Sequence, residues 1–334
     1  MEAGFVEVQN QLFRLFEEGQ IKKALFLIEK ARQEYPKRID KTTFWKACAF
    51  SRLGQIDEAI SQLQDAISKD IWWNPIILKN DPDLAALQEN SEFQRVIDQC
   101  ERILENVNNN RVRPNLEVYG NREAEVGIFS LHMRGTNIED FAPHWMRENV
   151  LKQYFLGFPQ SSQVFGYNAF CWDDPELTMK DISETFLQFQ KGFKKPIVLA
   201  GASQGGKVIM EISLGLNPLG TKGFIAVIPS IRELESFENL LKSNSVNQIK
   251  GVIITGDQDP FYKKTVELAQ LLESYQVPCK LVVIKGLAHF IPEALPELLQ
   301  DAIRYIRNLK KWEVHRKTTN LPGILHKYEI DNSS

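Results

Sequence analysis

The chain has 334 residues, 43% of them hydrophobic and 25% charged, with a formal net charge of −3. That length suits two domains, and the neutral-to-acidic balance gives the chain no electrostatic reason to seek nucleic acid or an anionic membrane surface. The longest apolar runs are strand-length, so no membrane span is expected. The start, Met1-Glu2-Ala3-Gly4, carries neither the basic segment nor the apolar stretch of a signal peptide. Cys48, Cys100, Cys171 and Cys279 are scattered, without paired or metal-ligand spacing. Reduced thiols, no metal and a cytoplasmic setting are the expectation.

Residues up to about Val107 read as helix throughout, with few glycines and no strand alternation. A period is visible in them. Gly19 is followed by Ala24 and Ala31, and 35 residues later Gly54 is followed by Ala59 and Ala66. Ala47, Phe50, Leu53, Ile56 and Leu63 complete the better copy. Small residues let two antiparallel helices approach closely, and large apolar ones fill the space between pairs. This half resembles a tetratricopeptide-repeat (TPR) module, whose period is about 34 residues. Two such repeats bury too little alone, so the helices through Leu84, Leu87, Phe93, Val96, Ile97 and Ile103 are expected to complete the stack. Ile71-Trp72-Trp73-Asn74-Pro75 reads as a connector, with its tryptophans packed. The polar run at 108–114, Asn-Asn-Asn-Arg-Val-Arg-Pro, is the expected boundary between a helical domain, 1–108, and a second domain, 109–334.

Beyond that boundary, strand and helix patterns alternate. Strands are expected near residues 116–119, 125–131, 154–158, 197–200, 224–228, 252–255 and 280–284, with a last helix at about 292–309. Such alternation implies an α/β fold: a mostly parallel sheet with helices on both faces, and chemistry gathered at the carboxyl ends of the strands.

The most informative stretch is 196–214. An apolar run, Ile197-Val198-Leu199-Ala200, turns through Gly201-Ala202-Ser203-Gln204-Gly205-Gly206 into an amphipathic stretch. A serine between strand and helix with glycines two positions either side resembles the nucleophile elbow, G-x-S-x-G, of the α/β-hydrolases, the alternative being an ordinary strand-helix turn whose serine caps the helix. The glycines fit where side chains would meet neighbouring backbone. The serine is lifted clear of the sheet, and the Gln204 amide opens the helix, where the dipole favours a developing negative charge.

A serine hydroxyl needs a base, and the base a carboxylate to orient it. The acid comes from Thr255-Gly256-Asp257-Gln258-Asp259-Pro260, directly after a strand. Asp259 is favoured because the following proline fixes the turn, and Asp257 suits bonding to the turn's amides. The base comes from Gly286-Leu287-Ala288-His289, also after a strand, whereas His315 and His326 fall in a basic, turn-rich tail. A second oxyanion amide is expected from Leu131-His132-Met133-Arg134-Gly135-Thr136, with Arg134 at the donor position and His132 structural.

Taken together these segments resemble the phospholipase/carboxylesterase (acyl-thioesterase-like) branch of the α/β-hydrolases. The likeness runs from about Gly127 to Leu309 and includes the loop from Gly157-Phe158-Pro159-Gln160 to Trp172-Asp173. The resemblance implies hydrolysis of carboxylic esters or thioesters by a Ser-Asp-His triad without a cofactor. Ser203 would be nucleophile, Asp259 orienter and His289 base, with the Arg134 and Gln204 amides forming the oxyanion hole. One departure is Met133, where that family has the first glycine of Leu-His-Gly-x-Gly. A side chain there is expected to narrow the oxyanion loop or turn its amide, which bears on efficiency more than on mechanism.

No long insertion follows the strand near 224–228, so loops would build the substrate cleft. Residues 160–174 are the richest, with Gln160, Phe165, Tyr167, Phe170 and Trp172 as a wall for an apolar acyl or aryl group. His144 and Trp145 are expected to rim the same cleft. The expectation is thus a serine hydrolase acting on a small ester or thioester, with a TPR-like module for a protein partner or self-association. The rivals are a binding scaffold with a weak or inactive hydrolase half, and a serine peptidase or acyltransferase on the same fold.

Overall fold

The computed structural model describes residues 3–108, 112–243 and 249–307. The boundary residues Asn109, Asn110 and Arg111, and the tail histidines His315 and His326, lie outside them. The chain divides into two compact units, Met1–Val112 with Gln163–Phe170, and Arg113–Ser162 with Cys171–Ser334.

The first unit is helical: α1 (Ala3–Glu17), α2 (Ile21–Glu34), α3 (Ile39–Arg52), α4 (Ile56–Ile67), α5 (Pro75–Asn80) and α6 (Ser91–Asn108). The spacing seen in the sequence reappears as geometry, since α2 and α4 begin 35 residues apart. Gly19 and Gly54 end α1 and α3 at φ 68° and 74°, where a side chain is strained. Each lets the next amide turn back: Gln20 N–H donates to the Leu15 carbonyl at 2.8 Å and Gln55 N–H to that of Phe50 at 2.9 Å. Ala24, Ala31, Ala59 and Ala66 are buried between the helices, with Ile28 and Leu63 filling the core. The regularity stops after α4. Trp72 is buried and Trp73 packs against Phe44, so the connector is part of the core. Asn74 accepts from Ile76 N–H and caps α5, whose first residue is a proline.

The second unit runs β1 (Asn115–Gly120), β2 (Gly127–Leu131), α7 (Ile138–Phe141), α8 (Glu148–Gln153) and β3 (Phe155–Gln160). A hairpin of β4 (Gln163–Gly166) and β5 (Ala169–Cys171) interrupts it, and α9 (Pro175–Gly192), β6 (Ile197–Ala202), α10 (Gln204–Leu214) and β7 (Gly223–Val227) follow. It ends with α11 (Glu235–Ser243), β8 (Lys250–Gly256), α12 (Tyr262–Ser274), β9 (Cys279–Ile284) and α13 (Leu295–Arg307). The seven-stranded sheet has the order β1-β3-β2-β6-β7-β8-β9. Only β1 runs antiparallel to its neighbour. All seven expected strands are present, with ends shifted by a few residues.

Alternate residues of the central strands feed two cores. Phe129, Leu131, Leu199, Phe224, Ala226 and Ile253 pack with residues of α9, α10, α11 and α12. Ile128, Val198, Ala200, Ile225, Val227 and Ile254 pack with Phe141, Trp145 and α13. Burial on both faces explains why these strands read as unbroken apolar runs. The strand order reverses at β2, which lies between β3 and β6. Such a switch point opens a crevice at the carboxyl ends of the strands.

The β4–β5 hairpin was not expected. It belongs to the helical unit: Asn74 Nδ2 donates to the Phe165 carbonyl at 2.8 Å, Tyr167 N–H donates to the Trp72 carbonyl at 3.1 Å, and Val164 packs on the helical core. Its strands are too short for a period to be read, and the turn is marked only by Asn168 at φ 47°.

Candidate active site

Ser203 stands between β6 and α10 at φ 51°, ψ −116°, a backbone conformation that costs about 1–3 kcal/mol and persists only when its surroundings enforce it. They do so at both ends of the residue. Ser203 N–H donates to the Val227 carbonyl at 2.9 Å, and the Ser203 carbonyl accepts from Ser230 N–H at 3.2 Å and Lys207 N–H at 3.0 Å. Gly201 and Gly205 are required by contact. A Cβ on Gly201 would lie 2.5 Å from the Gly205 carbonyl, and one on Gly205 would lie 2.5 Å from the Leu131 carbonyl oxygen and 2.6 Å from that of His132. The elbow and the loop after β2 therefore touch backbone to backbone.

A serine at this position of a helix ordinarily caps it with its hydroxyl. Ser203 makes no such cap. Its Oγ lies 2.9 Å from His289 Nε2, and His289 Nδ1 lies 2.9 Å from Asp259 Oδ2. The Asp259 side chain is fully buried and its other oxygen accepts from Phe261 N–H at 2.8 Å. These partners set the tautomer: Nδ1–H donates to the carboxylate and Nε2 is left to accept from the serine. The Phe261 ring meets the imidazole edge-on at 5.1 Å between centroids, which further fixes its plane. Asp257 accepts from Gly286 N–H at 2.6 Å and so holds the turn that leads to His289. Gly256 supports the same approach, because a Cβ there would lie 1.8 Å from the Leu287 carbonyl oxygen.

The loop after β2 is held by side chains. The Met133 carbonyl accepts from His132 Nδ1–H at 2.7 Å, from Thr136 Oγ1–H at 2.9 Å and from Thr136 N–H at 3.4 Å. In a trans peptide the carbonyl and the next N–H point in opposite directions, so fixing the Met133 oxygen also fixes the direction of the Arg134 amide. His132 is fully buried; its Nε2 accepts from Ser161 N–H at 3.3 Å, and burial pushes its imidazole down to about 4. Ser161 in turn bonds the buried Asp181 carboxylate, which also accepts from Ser162 N–H at 2.7 Å.

The five residues expected to line the substrate cleft are distributed differently, and Phe170 is buried within the helical unit. Trp172 is buried, donates from Nε1 to the His132 carbonyl at 3.0 Å and packs on the His132 ring at 4.7 Å, so it supports the loop from beneath. Gln160 accepts from Ile138 N–H at 3.3 Å. Phe165 and Tyr167 belong to the hairpin of the helical unit, where Phe165 is buried. Trp145 is fully buried in the sheet core instead of rimming a cleft, and burial pushes the His144 imidazole to about 4. The residue that sequence reasoning passed over is Asp173. Its carboxylate binds the Arg134 guanidinium at 2.6–3.2 Å and accepts from Gln204 Nε2 at 2.6 Å. The only signal was an acidic residue next to Trp172.

Two other places among the described residues gather polar groups or enclose space. Cys48, Asp81 and Asp83 bring ligand-type atoms within 4.8 Å of one another. Each is already engaged structurally: burial raises the Cys48 thiol well above its ordinary value, Asp81 accepts from Asp83 N–H, and Asp83 pairs with Arg52 at 3.4 Å. A cavity of about 490 Å³ in the helical unit is lined by Phe26, Lys22, Lys23 and Lys30 among others, with no hydroxyl, thiol, imidazole or carboxylate side chain in its lining. All four cysteines are free thiols. No helix among the described residues is long and apolar enough to cross a membrane.

Residues 4–108 match a family model described as A/B hydrolase-like, N-terminal domain. No curated protein matches the chain. Among solved structures, an uncharacterized protein from Bacillus cereus ATCC 10987 is 25% identical, with 91% of this chain and 99% of that one covered and a TM-score of 0.51. Esterase PE8 is 18% identical over 58% of this chain and all of its own, with a TM-score of 0.48. A carboxylesterase from Mesorhizobium loti is 17% identical over 54% of this chain and 88% of its own, with a TM-score of 0.45. The chain joins a segment that matches the A/B hydrolase-like N-terminal domain to a unit with the α/β-hydrolase fold.

Proposed function

We propose that the chain is a serine hydrolase that cleaves carboxylic esters or thioesters through an acyl-enzyme on Ser203. The observation that carries this reading is the hydrogen-bonded line from Ser203 Oγ through the His289 ring to the buried Asp259, each link 2.9 Å long, on a serine whose hydroxyl does not cap its helix. In a structural turn, that hydroxyl would satisfy the helix amides and the strain would have no use.

On this reading Ser203 Oγ attacks the substrate carbonyl while His289 Nε2 takes the hydroxyl proton. Asp259 stabilises the imidazolium and keeps its orientation. The carbonyl oxygen becomes an anion, received by the amides of Gln204 and Arg134. Collapse of the tetrahedral adduct expels an alkoxide or thiolate, which takes the proton from His289. A water molecule then attacks the acyl-enzyme, gives a proton to Nε2, and releases the acid as Ser203 recovers its hydrogen. The step needs no cofactor. The proposed division of the chain assigns this chemistry to residues 109–334, with residues 1–108 as a TPR-like module for protein binding or self-association in a cytoplasmic protein. The support for the module is the 35-residue offset between successive helix pairs. Sedimentation of the full chain over a concentration range tests self-association.

The direct test is labelling with a fluorophosphonate probe. Wild type is expected to label stoichiometrically, and Ser203→Ala and His289→Ala are expected to lose both labelling and turnover of p-nitrophenyl acetate. Labelling that persists in Ser203→Ala would overturn the assignment.

A further inference from the structure

We propose that Asp173 is a positioning residue for the oxyanion pocket, acting by tying together the two segments that supply its amides. The inference rests on Ser203 being the nucleophile and extends that reading to a residue outside the triad.

Both residues assigned as amide donors send their side chains to the same carboxylate. Arg134 grips Asp173 through Nε at 3.0 and 3.2 Å and through a terminal nitrogen at 2.6 Å. Gln204 donates to it from Nε2 at 2.6 Å, while Gln204 Oε1 accepts from Trp172 N–H at 2.9 Å. The Gln204 carboxamide is therefore pinned at both ends to the 172–173 segment. That segment is itself anchored under the oxyanion loop, because Trp172 Nε1 donates to the His132 carbonyl at 3.0 Å. The result is a bridge: the loop at 132–134 and the first residue of α10 are each bonded to the segment at 172–173, directly after β5.

A bidentate guanidinium–carboxylate pair fixes direction as well as distance, which a single bond to a flexible side chain does not. The Arg134 and Asp173 side chains are 38% and 41% exposed. An ion pair so open to water contributes little to global stability. Its value lies in geometry: donors must sit about 2.7–3.1 Å from the position an oxyanion will take, and small misplacement is costly in rate. Charge argues the same way. An unpaired carboxylate beside a developing oxyanion would oppose it, and the Arg134 guanidinium neutralises that carboxylate. Hydrogen bonds from Arg134 and Gln204 keep Asp173 ionised despite the opposing pull of burial.

The test compares Asp173→Ala and Asp173→Asn with wild type in the full chain. Turnover of p-nitrophenyl acetate, KM, thermal midpoint and inhibition by phenylboronic acid are measured. The boronate reads the oxyanion pocket directly, because it becomes tetrahedral on the serine. Expected is a fall in kcat of about tenfold to a hundredfold, below the about 10²–10³ for deleting a donor outright. Boronate affinity should fall in parallel, with KM within about threefold and the thermal midpoint nearly unchanged. Arg134→Met and Gln204→Leu should each reproduce part of the loss. Combining either with Asp173→Ala should add less than the product of the single effects, because all three act through one carboxylate. Unchanged kcat in Asp173→Ala would overturn the proposal, as would a rise in KM at constant kcat, which would place Asp173 in substrate binding. If Asp173→Ala fails to fold, Asp173→Asn and the Arg134 variant decide by the same readouts. A wild-type protein that neither turns over ester nor labels at Ser203 would instead remove the parent reading.

Discussion

The elbow at residues 201–206 and the loop at residues 132–136 carry the two amides of the proposed oxyanion pocket, yet different forces shape them. The elbow is dictated by backbone sterics: Gly201 and Gly205 are needed because any Cβ would lie 2.5 Å from a main-chain atom. The loop is dictated by side chains from distant parts of the chain, with Ser161 bonding His132, and Trp172 and Asp173 holding the His132 carbonyl and the Arg134 guanidinium. Local sterics leave a motif in the sequence. A web of remote hydrogen bonds leaves none, and it tolerates Met133 at the position where the resembling family has glycine. With its carbonyl held by His132 and Thr136, Met133 needs no glycine freedom to keep its peptide in place.

The largest effect should come from forcing the two apart. Gly205→Ala puts a methyl 2.5–2.6 Å from the Leu131 and His132 carbonyl oxygens, so the elbow or the loop has to shift. Turnover is expected to fall about 10³-fold, comparable to losing an oxyanion donor, and kcat on p-nitrophenyl acetate measures it. A loss under tenfold would mean that the two backbones have slack.

The next effect tests the loop through protonation. His132 has a folded-state value of about 4, lowered by burial, against about 6.5 for an unfolded histidine. Between those values the unfolded chain binds the proton and the folded chain does not, so stability falls as pH falls. The stabilisation is complete above about pH 6.5 and lost progressively toward pH 4, amounting to about 3 kcal/mol. The unfolding free energy from urea titrations should therefore drop by that much more between pH 7 and pH 4 in wild type than in His132→Asn. Parallel curves for the two proteins would show that His132 protonates without cost.

The smallest effect should come from loosening one bond. Thr136→Val removes the 2.9 Å hydroxyl bond to the Met133 carbonyl while keeping its shape. A cost of about 1 kcal/mol in stability is expected, with a few-fold loss in kcat and an unchanged KM. If kcat is unmoved while the midpoint drops, Thr136 supports the fold and not the pocket.

The same contrast explains which features are legible in the sequence. The seven strands were visible because residues such as Phe129, Phe224 and Ile253 are buried on both faces of a sheet and leave continuous apolar runs. The 35-residue offset was visible because Gly19 and Gly54 must adopt positive φ where helices end. Ser203, Asp259 and His289 were picked out because each follows a strand. The β4–β5 hairpin was not, since three- and four-residue strands show no period and its docking depends on Asn74, ninety-one residues before Phe165 in the chain. The aromatic residues at 165–172 looked alike in sequence, but burial assigned Phe165 to the helical unit and Trp172 to the support of the oxyanion loop.

By itself the sequence determined where the backbone is sterically compelled: the glycines of the elbow, the helix-ending glycines and the buried strands. Tertiary structure alone decided which remote polar groups meet, above all the convergence of Arg134 and Gln204 on Asp173. The reason is physical. Steric constraint acts between neighbours in the chain and restricts residue type, whereas hydrogen bonds between distant segments need only a donor and an acceptor at the right distance, and many residues can supply either.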